Sequence, residues 1–308
     1  MLFDLALAGG GQFDGHTLQL PASLGEGFIK MLEPESGLRL LVHSCCLAHE
    51  MTIRRRAEDT PPDTWLLAFS VFDSAPRAKA RPLSSVHLAS AGVDISSTMP
   101  AHTALLIVAM AINKSLLHSW LRDADGTVPA ILSSQHPVVL DALMTPAMEK
   151  VLSHFAQARP ASSLEPFFLK IKAQELLYWL FQELAERAAA PVRPIHADDV
   201  QKIYQVREAL LAHLDEPPSL PRLARQAGLS ETKMKGLFRQ VFGASLYSYF
   251  QVARMEEAKR LLGELSVSQV GGRLGFSNLS HFARLFEKHH GQTPKKYQTQ
   301  VATHAPSR

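Results

Sequence analysis

A phrase of residues that occurs twice near the C-terminus constrains the fold more than any other feature of this 308-residue chain. A turn glycine stands at Gly228 and again at Gly275, and a second glycine ends each phrase at Gly243 and at Gly291. The copies are offset by 47 residues at the first glycine and by 48 at the second. Each copy predicts a short helix, a sharp turn through a positive-φ glycine, and a second helix.

In the first copy, Ser219 and Ser230 stand where helix N-caps are expected. The second helix places apolar residues on one face at helical spacing, namely Met234, Leu237, Phe238 and Val241. Its opposite face carries polar and basic residues, namely Thr232, Lys233, Lys235, Gly236, Arg239 and Gln240. A helix packed along one stripe, with basic and polar groups opposite, has the character of a helix that reads the DNA major groove.

The second copy repeats this pattern, with Ser266 predicted to cap a helix that contains Val267 and Val270. Its second helix buries Phe282, Leu285 and Phe286 and exposes Ser280, His281, Arg284 and Lys288. After Gly291, Thr293 and Pro294 open a last helix that carries Lys295, Lys296 and Tyr297. The second helix of each copy is called a reading helix below.

The stretch from Ser245 to Leu262, between the copies, contains neither Gly nor Pro. As a helix it spans roughly 27 Å, which suits two reading helices set about 34 Å apart, one turn of DNA. We therefore predict that one subunit engages two successive major grooves. The alternative is that these are ordinary helices of an α-helical domain that are ended by glycines.

From Ser266 to Tyr297 the sequence resembles the long C-terminal signature of the AraC/XylS family of bacterial transcription regulators. The resemblance extends from about His196 to Gln298, and the first copy, with Arg254 and the residues after it, is most similar to the siderophore-responsive branch. It implies a cytoplasmic regulator, often a dimer and frequently an activator that contacts RNA polymerase. It also implies an N-terminal domain that binds a small-molecule effector, with a siderophore as one candidate.

The resemblance further implies base contacts from early exposed positions of the reading helices. Those positions hold Thr232, Lys235, Gly236, Ser280, Ala283 and Arg284. We expect Lys235 and Arg284 to contact bases, because an arginine pairs well with guanine. The full predicted DNA-binding set is Thr232, Lys233, Lys235, Arg239, Ser280, His281, Arg284, Lys288, Lys295 and Lys296. Within it, Lys233, Arg239, Lys295 and Lys296 are expected to hold phosphates.

Glycines depart from the family pattern at two places. Gly236 offers no side chain where relatives often have a long polar one. Gly271 and Gly272 lie inside the first helix of the second copy, where each costs about 1 kcal/mol relative to alanine. We expect that motif to be less stable in isolation, or that helix to pack unusually closely on a neighbour.

The charge distribution separates the two parts of the chain. Residues 196–308 carry 16 Lys and Arg against 10 Asp and Glu, a net charge of +6, and the remainder carries −3. A basic module joined to a mildly acidic one fits DNA binding by the C-terminal part. We predict a β-rich effector-binding and dimerisation domain at 1–187, a linker at 188–195, the DNA-binding domain at 196–300 and a disordered tail at 301–308.

The predicted fold class is α+β, with a β-rich, cupin-like sensor domain and packed helices before an all-α double helix-turn-helix domain. Four segments read as short strands, namely Leu38–Val42, Met51–Arg55, Trp65–Phe72 and Ala104–Ala109. Gly126 to Pro129 reads as a turn out of the β-region, and Val138 to Ala156 reads as a helix that Pro146 kinks or splits. Glu165 to Ala189 reads as an amphipathic helix that covers the β-domain, packs on its copy in a second subunit, or does both.

No motif of an enzyme or of a bound cofactor stands out, so we expect neither catalysis nor a cofactor. The β-region histidines His43, His49, His87 and His102 lack metal-ligand spacing. Cys45 and Cys46 point to opposite faces of a strand, which argues against a disulfide between them. Neither a signal peptide nor a membrane span is recognised, which favours a cytoplasmic protein.

Aromatic residues of the β-region are candidates either for an effector pocket or for simple core, namely Phe28, Trp65, Phe69 and Phe72. Two further hypotheses stay open beside the effector-responsive regulator. One is a cupin-like, metal-dependent enzyme joined to a DNA-binding domain, which requires a metal site in the N-terminal domain. The other is a regulator whose N-terminal domain is controlled by a protein partner.

Overall fold

A computed structural model describes residues 2–74, 84–122, 126–134, 136–157, 163–186 and 195–304. The chain divides into two compact units, an N-terminal unit of Met1–Ala197 and a C-terminal unit of Asp198–Arg308. The linker predicted at 188–195 lies outside the described residues, apart from its last residue. Its boundaries therefore stay a prediction.

The described part of the N-terminal unit is built around an antiparallel sheet. Its strands are β1 (Thr17–Gln19), β2 (Gly25–Glu35), β3 (Leu38–Leu47), β4 (Met51–Arg55), β5 (Thr64–Ser74), β6 (Ser85–Ser90), β7 (Ile95–Met99), β8 (Thr103–Asn113) and β9 (Val139–Leu143). Seven of them form one sheet in the order β1-β2-β3-β8-β5-β6-β9, and β4 pairs with β7 separately. The four predicted strands are confirmed, while a cupin-like arrangement stays a prediction.

In the described part of this unit, five α-helices accompany these strands. They are α1 (Leu2–Ala8), α2 (Lys114–Trp120), α3 (Thr127–Leu132), α4 (Pro146–Gln157) and α5 (Glu165–Glu186). Asn113 caps α2 by accepting a hydrogen bond from the backbone N–H of Ser115. The predicted helix that ends at Ala189 is confirmed over Glu165–Glu186, and its last residues lie outside the described part of the chain.

Two of the sequence predictions in this unit are wrong. The helix predicted from Val138 to Ala156 is wrong in its first part, which is strand β9, whereas a break at Pro146 is confirmed because α4 begins there. Proline fits the first helical position, where its missing N–H would have no partner. The turn predicted at Gly126 to Pro129 instead opens α3, with Gly126 as its N-cap residue.

Alternation along the strands gives the sheet two buried faces. On β3, Leu40 and Val42 face the large core that α4 and α5 complete. Cys45 and Leu47 face a second, smaller core that includes Ala6 of α1 and residues of β1 and β8. Successive strand residues point to opposite faces, so Cys45 is buried while Cys46 is half-buried, and both are free thiols.

Two ion pairs hold α5 against β2. The Lys30 ammonium lies 2.6 Å from a carboxylate oxygen of Glu165, with both side chains largely buried. Lys170, one turn further along α5, pairs with Glu35 at 2.9 Å. Removing one member of the buried pair would leave a desolvated charge, so Lys30 and Glu165 fix where α5 begins on the sheet.

The C-terminal unit is helical throughout its described part. Its helices are α6 (Ala197–Leu211), α7 (Leu220–Gln226), α8 (Glu231–Phe242), α9 (Leu246–Leu261), α10 (Val267–Arg273), α11 (Leu279–His290) and α12 (Pro294–His304). The last helix runs past residue 300, where the tail was predicted to begin, and residues 305–308 lie outside the described part. Among the described residues of both units, no helix has the length and apolar character that crossing a bilayer requires.

Arg254 is a charged residue inside the core of this unit. It is 5% exposed, its Nε donates a hydrogen bond of 2.9 Å to the Leu274 carbonyl oxygen, and its Nη2 contacts the same oxygen. The guanidinium carbon lies 3.7 Å from the ring centroid of Phe276. A planar cation can stack on a ring and donate at its edge, a combination that lysine does not offer.

The burial of His43 in the second core predicts how the stability of the N-terminal unit depends on pH. Burial lowers the pKa of His43 from its ordinary value of 6.5 to about 4, and its Nδ1 has no hydrogen-bond partner among the described residues. Between those pH values the unfolded chain binds the extra proton, so stability is complete above pH 6.5 and is lost as the pH falls towards 4. We expect the N-terminal unit to lose about 2 kcal/mol between pH 7.5 and pH 5 in urea unfolding.

His43→Leu should remove that part of the pH dependence, whereas His49→Gln, at an exposed position of the same region, should retain it. Equal slopes against pH in the wild type and in His43→Leu would contradict the assignment.

Arg254→Ala should destabilise the C-terminal unit by about 3 kcal/mol, because it removes packing against Phe276 and leaves the Leu274 carbonyl oxygen without its donor. Hydrogen exchange of the amides in α10 and α11 measures the loss. Glu256→Ala, an exposed change on the same helix, is the matched control. Unchanged protection in Arg254→Ala would show that the guanidinium does not hold this region together.

Candidate nucleic-acid interface

Each motif has the helix–turn–helix form that its glycine predicts. Gly228 adopts φ +62° between α7 and α8, and Gly275 adopts φ +71° between α10 and α11. A Cβ on Gly275 would lie 1.8 Å from the Asp215 carbonyl oxygen, so glycine is required there by contact as well as by conformation. Gly243 and Gly291 end the two reading helices in the left-handed conformation.

Two of the three serines predicted to cap helices form capping hydrogen bonds. Ser230 accepts a hydrogen bond from the Lys233 N–H, and Ser266 forms a reciprocal capping box with Gln269. Ser219 is the N-cap residue of α7, but its side chain makes no capping hydrogen bond. Asn278, which the sequence reading missed, caps the second reading helix by accepting from the Ser280 and His281 N–H groups.

Most of the apolar residues predicted on the inner faces of the reading helices are buried, while Leu237 and Leu285 are half-buried. Met234, Phe238 and Val241 of α8 are fully buried, as are Phe282 and Phe286 of α11. The predicted DNA-binding residues all lie exposed on the opposite faces or on α12, namely Thr232, Lys233, Lys235, Arg239, Ser280, His281, Arg284, Lys288, Lys295 and Lys296. The basic face that the sequence predicts is therefore formed, while the role of each side chain on DNA stays a prediction.

Two lysines of the first reading helix are engaged in ion pairs. The Lys233 ammonium lies 2.8 Å from a carboxylate oxygen of Asp199 on α6, and the Asp199 side chain is only 8% exposed. Lys235 pairs with Glu231 one turn earlier, at 3.3 Å, and both of these groups are about half exposed. A pair with a buried acid is harder to break than an exposed pair, so Lys233 braces the helix against α6 more firmly than Glu231 restrains Lys235.

Arg284 extends from the exposed face of the second reading helix. The structure gives it one weak contact, in which its Nε donates to the Ser280 carbonyl oxygen at 3.4 Å. No acidic side chain among the described residues forms an ion pair with Arg284, so its exposed guanidinium retains its fork of donors for a ligand. His281, beside it, packs edge-on against the ring of Phe276.

The adjacent histidines at the end of α11 have different surroundings. The His290 ring lies on Phe286, with 4.4 Å between centroids, and its Nε2 lies 3.1 Å from the Met255 carbonyl oxygen. Burial lowers the pKa of His289, and the charges of His290 and Lys288 lower it further. His289 therefore adds no charge to the interface at neutral pH.

Gly271 meets the expectation of close helix packing. A Cβ there would lie 2.4 Å from Cδ2 of Leu279, at the start of the second reading helix. Gly272 and Gly236 have open space around the corresponding position. Only Gly271 therefore has a packing reason, and nothing in the structure explains why Gly272 or Gly236 is glycine.

The described residues of the N-terminal unit gather no set of three or more His, Cys, Asp or Glu side chains with the arrangement of a metal site. His43 is buried in the second core, and His87 contacts Asp141 across β6 and β9. Trp65 and Phe69 belong to the large core, whereas Phe28 and Phe72 are only partly buried at core margins.

Comparison with known proteins matches a helix-turn-helix domain family to residues 223–300. Regulatory protein PchR of Pseudomonas aeruginosa is 34% identical over 127 residues, which are 41% of this chain and 43% of that protein. The arabinose operon regulatory protein of Escherichia coli is 28% identical over 121 residues, which are 38% of this chain and 41% of that protein. The matched part thus spans about two fifths of the length of these relatives.

A solved AraC-type regulator from Chromobacterium violaceum covers 36% of this chain at 28% identity, with a TM-score of 0.33, a likeness too slight to support a structural argument. The sequence matches and the two motifs agree with each other over the same residues. The C-terminal unit of this chain is therefore an AraC-type, DNA-binding helix-turn-helix domain.

Proposed function

We propose that the whole chain is a sequence-specific transcription regulator of the AraC type that acts in the bacterial cytoplasm. The observation that carries the proposal is the pair of reading helices, each buried along an aromatic stripe and each presenting an exposed polar and basic face. Bases are read by side chains that reach into the major groove, while phosphates are held by lysines and by helix N-termini. In this proposal each reading helix enters one of two successive major grooves.

The ion pairs refine the roles of the basic residues. Arg284, which has no acidic partner among the described residues, is proposed as the main base contact. Lys235 is proposed to exchange the exposed Glu231 for DNA at little cost. Lys233 is proposed to hold α8 on α6 through Asp199 and to make a weaker phosphate contact than the other basic residues. The remaining phosphate contacts fall to Arg239, Lys288, Lys295 and Lys296, with Thr232, Ser280 and His281 beside them.

We further propose that the chain activates transcription by contacting RNA polymerase and that a small molecule bound by the N-terminal unit controls it. Support comes from the separate β-rich unit, whose sheet carries an open groove described below. A siderophore, suggested by the resemblance of the first motif, is one candidate effector. Control by a protein partner is the competing hypothesis for this unit. A third hypothesis is that the unit is a metal-dependent enzyme, which a metal assay on the purified protein tests.

A homodimer is proposed from the outer face of α5. The helix buries Leu169, Ala173, Leu176 and other residues in the large core. On the opposite side it exposes a row of large apolar residues, which we call the α5 stripe: Phe167, Phe168, Ile171, Tyr178 and Trp179. At 3.6 residues per turn these positions fall within about 120° of one another around the helix axis, so they share one face of the helix. A second copy of the same face would cover it in a symmetric pair.

Arg284→Ala should weaken binding to the preferred DNA site by about 1–3 kcal/mol and relax the preference at one base position, because a bidentate contact to a base carries sequence information. Selection of bound sequences from a random DNA pool measures both effects. Lys295→Ala is the matched control and should weaken all sequences alike. A uniform loss in Arg284→Ala would make Arg284 a phosphate contact.

Ile171→Glu should raise the dimer dissociation constant at least tenfold, because it places a charge in the centre of the proposed contact. Sedimentation equilibrium of the full chain measures the constant. Ser119→Glu adds the same charge at an exposed position of α2 and should have no effect. A dimer equally stable in both variants would place the dimer contact elsewhere.

A further inference from the structure

An open groove of about 410 Å³ lies on the sheet of the N-terminal unit. It crosses four neighbouring strands, β2, β3, β8 and β5. Side chains that share one face by strand register line it, namely Glu26, Ser44, Cys46, Val71, Ala104 and Leu106. Its volume lies within the roughly 300–1,000 Å³ that small-molecule sites occupy.

The lining divides into a polar end and an apolar wall. Glu26, Ser44 and Cys46 provide a carboxylate, a hydroxyl and a thiol, and Glu26 is the one charged residue among the described lining residues. Val71, Ala104 and Leu106 form the wall, and Val71 and Leu106 lie where the large core reaches the groove. A carboxylate beside an apolar surface favours a ligand with a cationic end and an apolar body.

The floor of the groove is fixed by the backbone at Gly27. This residue adopts φ +111°, and a Cβ there would lie 2.2 Å from the Ser44 carbonyl oxygen. Any other residue would push β2 away from β3 at the polar end. The groove is therefore formed before a ligand arrives, which lowers the ordering that binding requires.

The groove lies on the same face of the sheet as the ion pair that holds α5. Ser44, which lines the groove, pairs with Phe28 across β2 and β3, and Lys30 pairs with Val42 two residues further along that face. Same-face neighbours along a strand are about 7 Å apart, so the buried contact of Lys30 with Glu165 begins one same-face position beyond the Phe28–Ser44 pair. A ligand here can bias the start of α5 and, through it, the α5 stripe.

We propose that this groove is the effector site and that it takes a cationic, amphipathic small molecule, with its ammonium at Glu26 and its apolar body on the wall of Val71 and Leu106. The proposal rests on the proposed function, because only a regulator has an effector. A cationic effector is the alternative to the siderophore that the resemblance of the first motif suggests.

Cys46 provides a handle for the test, because it lines the groove while Cys45 is the one other cysteine of the chain. Cys45 also belongs to the groove lining, but it is buried, and burial raises the pKa of its thiol to about 12, so Cys46 is the thiol expected to react. Three aromatic disulfides that differ only in an ammonium, a hydroxyl or a carboxylate are the probes. The Cys46 thiolate attacks each disulfide, a Cys46–probe disulfide forms, and the other half of the probe leaves as a thiol.

The full chain is equilibrated with each probe at one 2-mercaptoethanol concentration, and the adducts are counted by intact mass spectrometry. We expect two to five times more ammonium adduct than carboxylate adduct, the range of a partly exposed ion pair. Glu26→Gln should abolish that ratio, while Glu50→Gln, an exposed carboxylate outside the groove lining, should preserve it. The same ratio in the wild type and in Glu26→Gln would overturn the assigned chemistry, as would an excess of carboxylate adduct.

The effect on DNA binding is the second readout. The ammonium adduct should change the affinity for the selected DNA site at least threefold relative to unmodified protein, and Cys46→Ser treated with the same probe should show no change. An ammonium preference without any change in DNA affinity would overturn the role as effector site. Failure of the unmodified chain to select any DNA sequence would instead refute the proposed function, while the adduct ratio still decides the groove chemistry.

Discussion

The second reading helix depends on the contacts that the buried guanidinium of Arg254 makes. It joins the middle of α9 to the turn before α11 through the Leu274 carbonyl oxygen and the ring of Phe276. On the other side of that turn, Gly275 lies against the Asp215 backbone, where no side chain fits. The turn is held from both sides, so the direction of α11 is set by the core and its exposed face is free for DNA.

The first reading helix is held in place by different contacts. An aromatic cluster of Phe238, Phe242 and Tyr249 packs α8 against α9, and the Arg207 guanidinium donates to the Tyr249 hydroxyl. The pair of Lys233 with Asp199 adds a connection to α6. Two motifs that look alike in sequence therefore rest on different supports. A change in α6 should affect the first motif alone, whereas a change at Arg254 should affect the second.

Local signals were sufficient where one residue decides the structure. The turns at Gly228 and Gly275 and the capping box at Ser266 follow from conformations and hydrogen bonds within a few residues. Strand β9 was misread as helix because all but the last of its residues are buried, so no alternation separates it from the helix that Pro146 begins. The pair of Lys233 with Asp199 depends on how α8 packs on α6, and the lining of the groove depends on strand register. A single sequence displays neither of these long-range relations.

The two reading helices of the C-terminal unit are proposed to engage two successive major grooves. Sequencing of genomic DNA captured by the purified full-length chain tests this proposal, with each enriched site searched for paired half-motifs. We expect two half-motifs whose centres lie about 10 base pairs apart, on one face of the duplex. Enrichment of a single half-motif, or salt-sensitive binding without any enriched sequence, would contradict it.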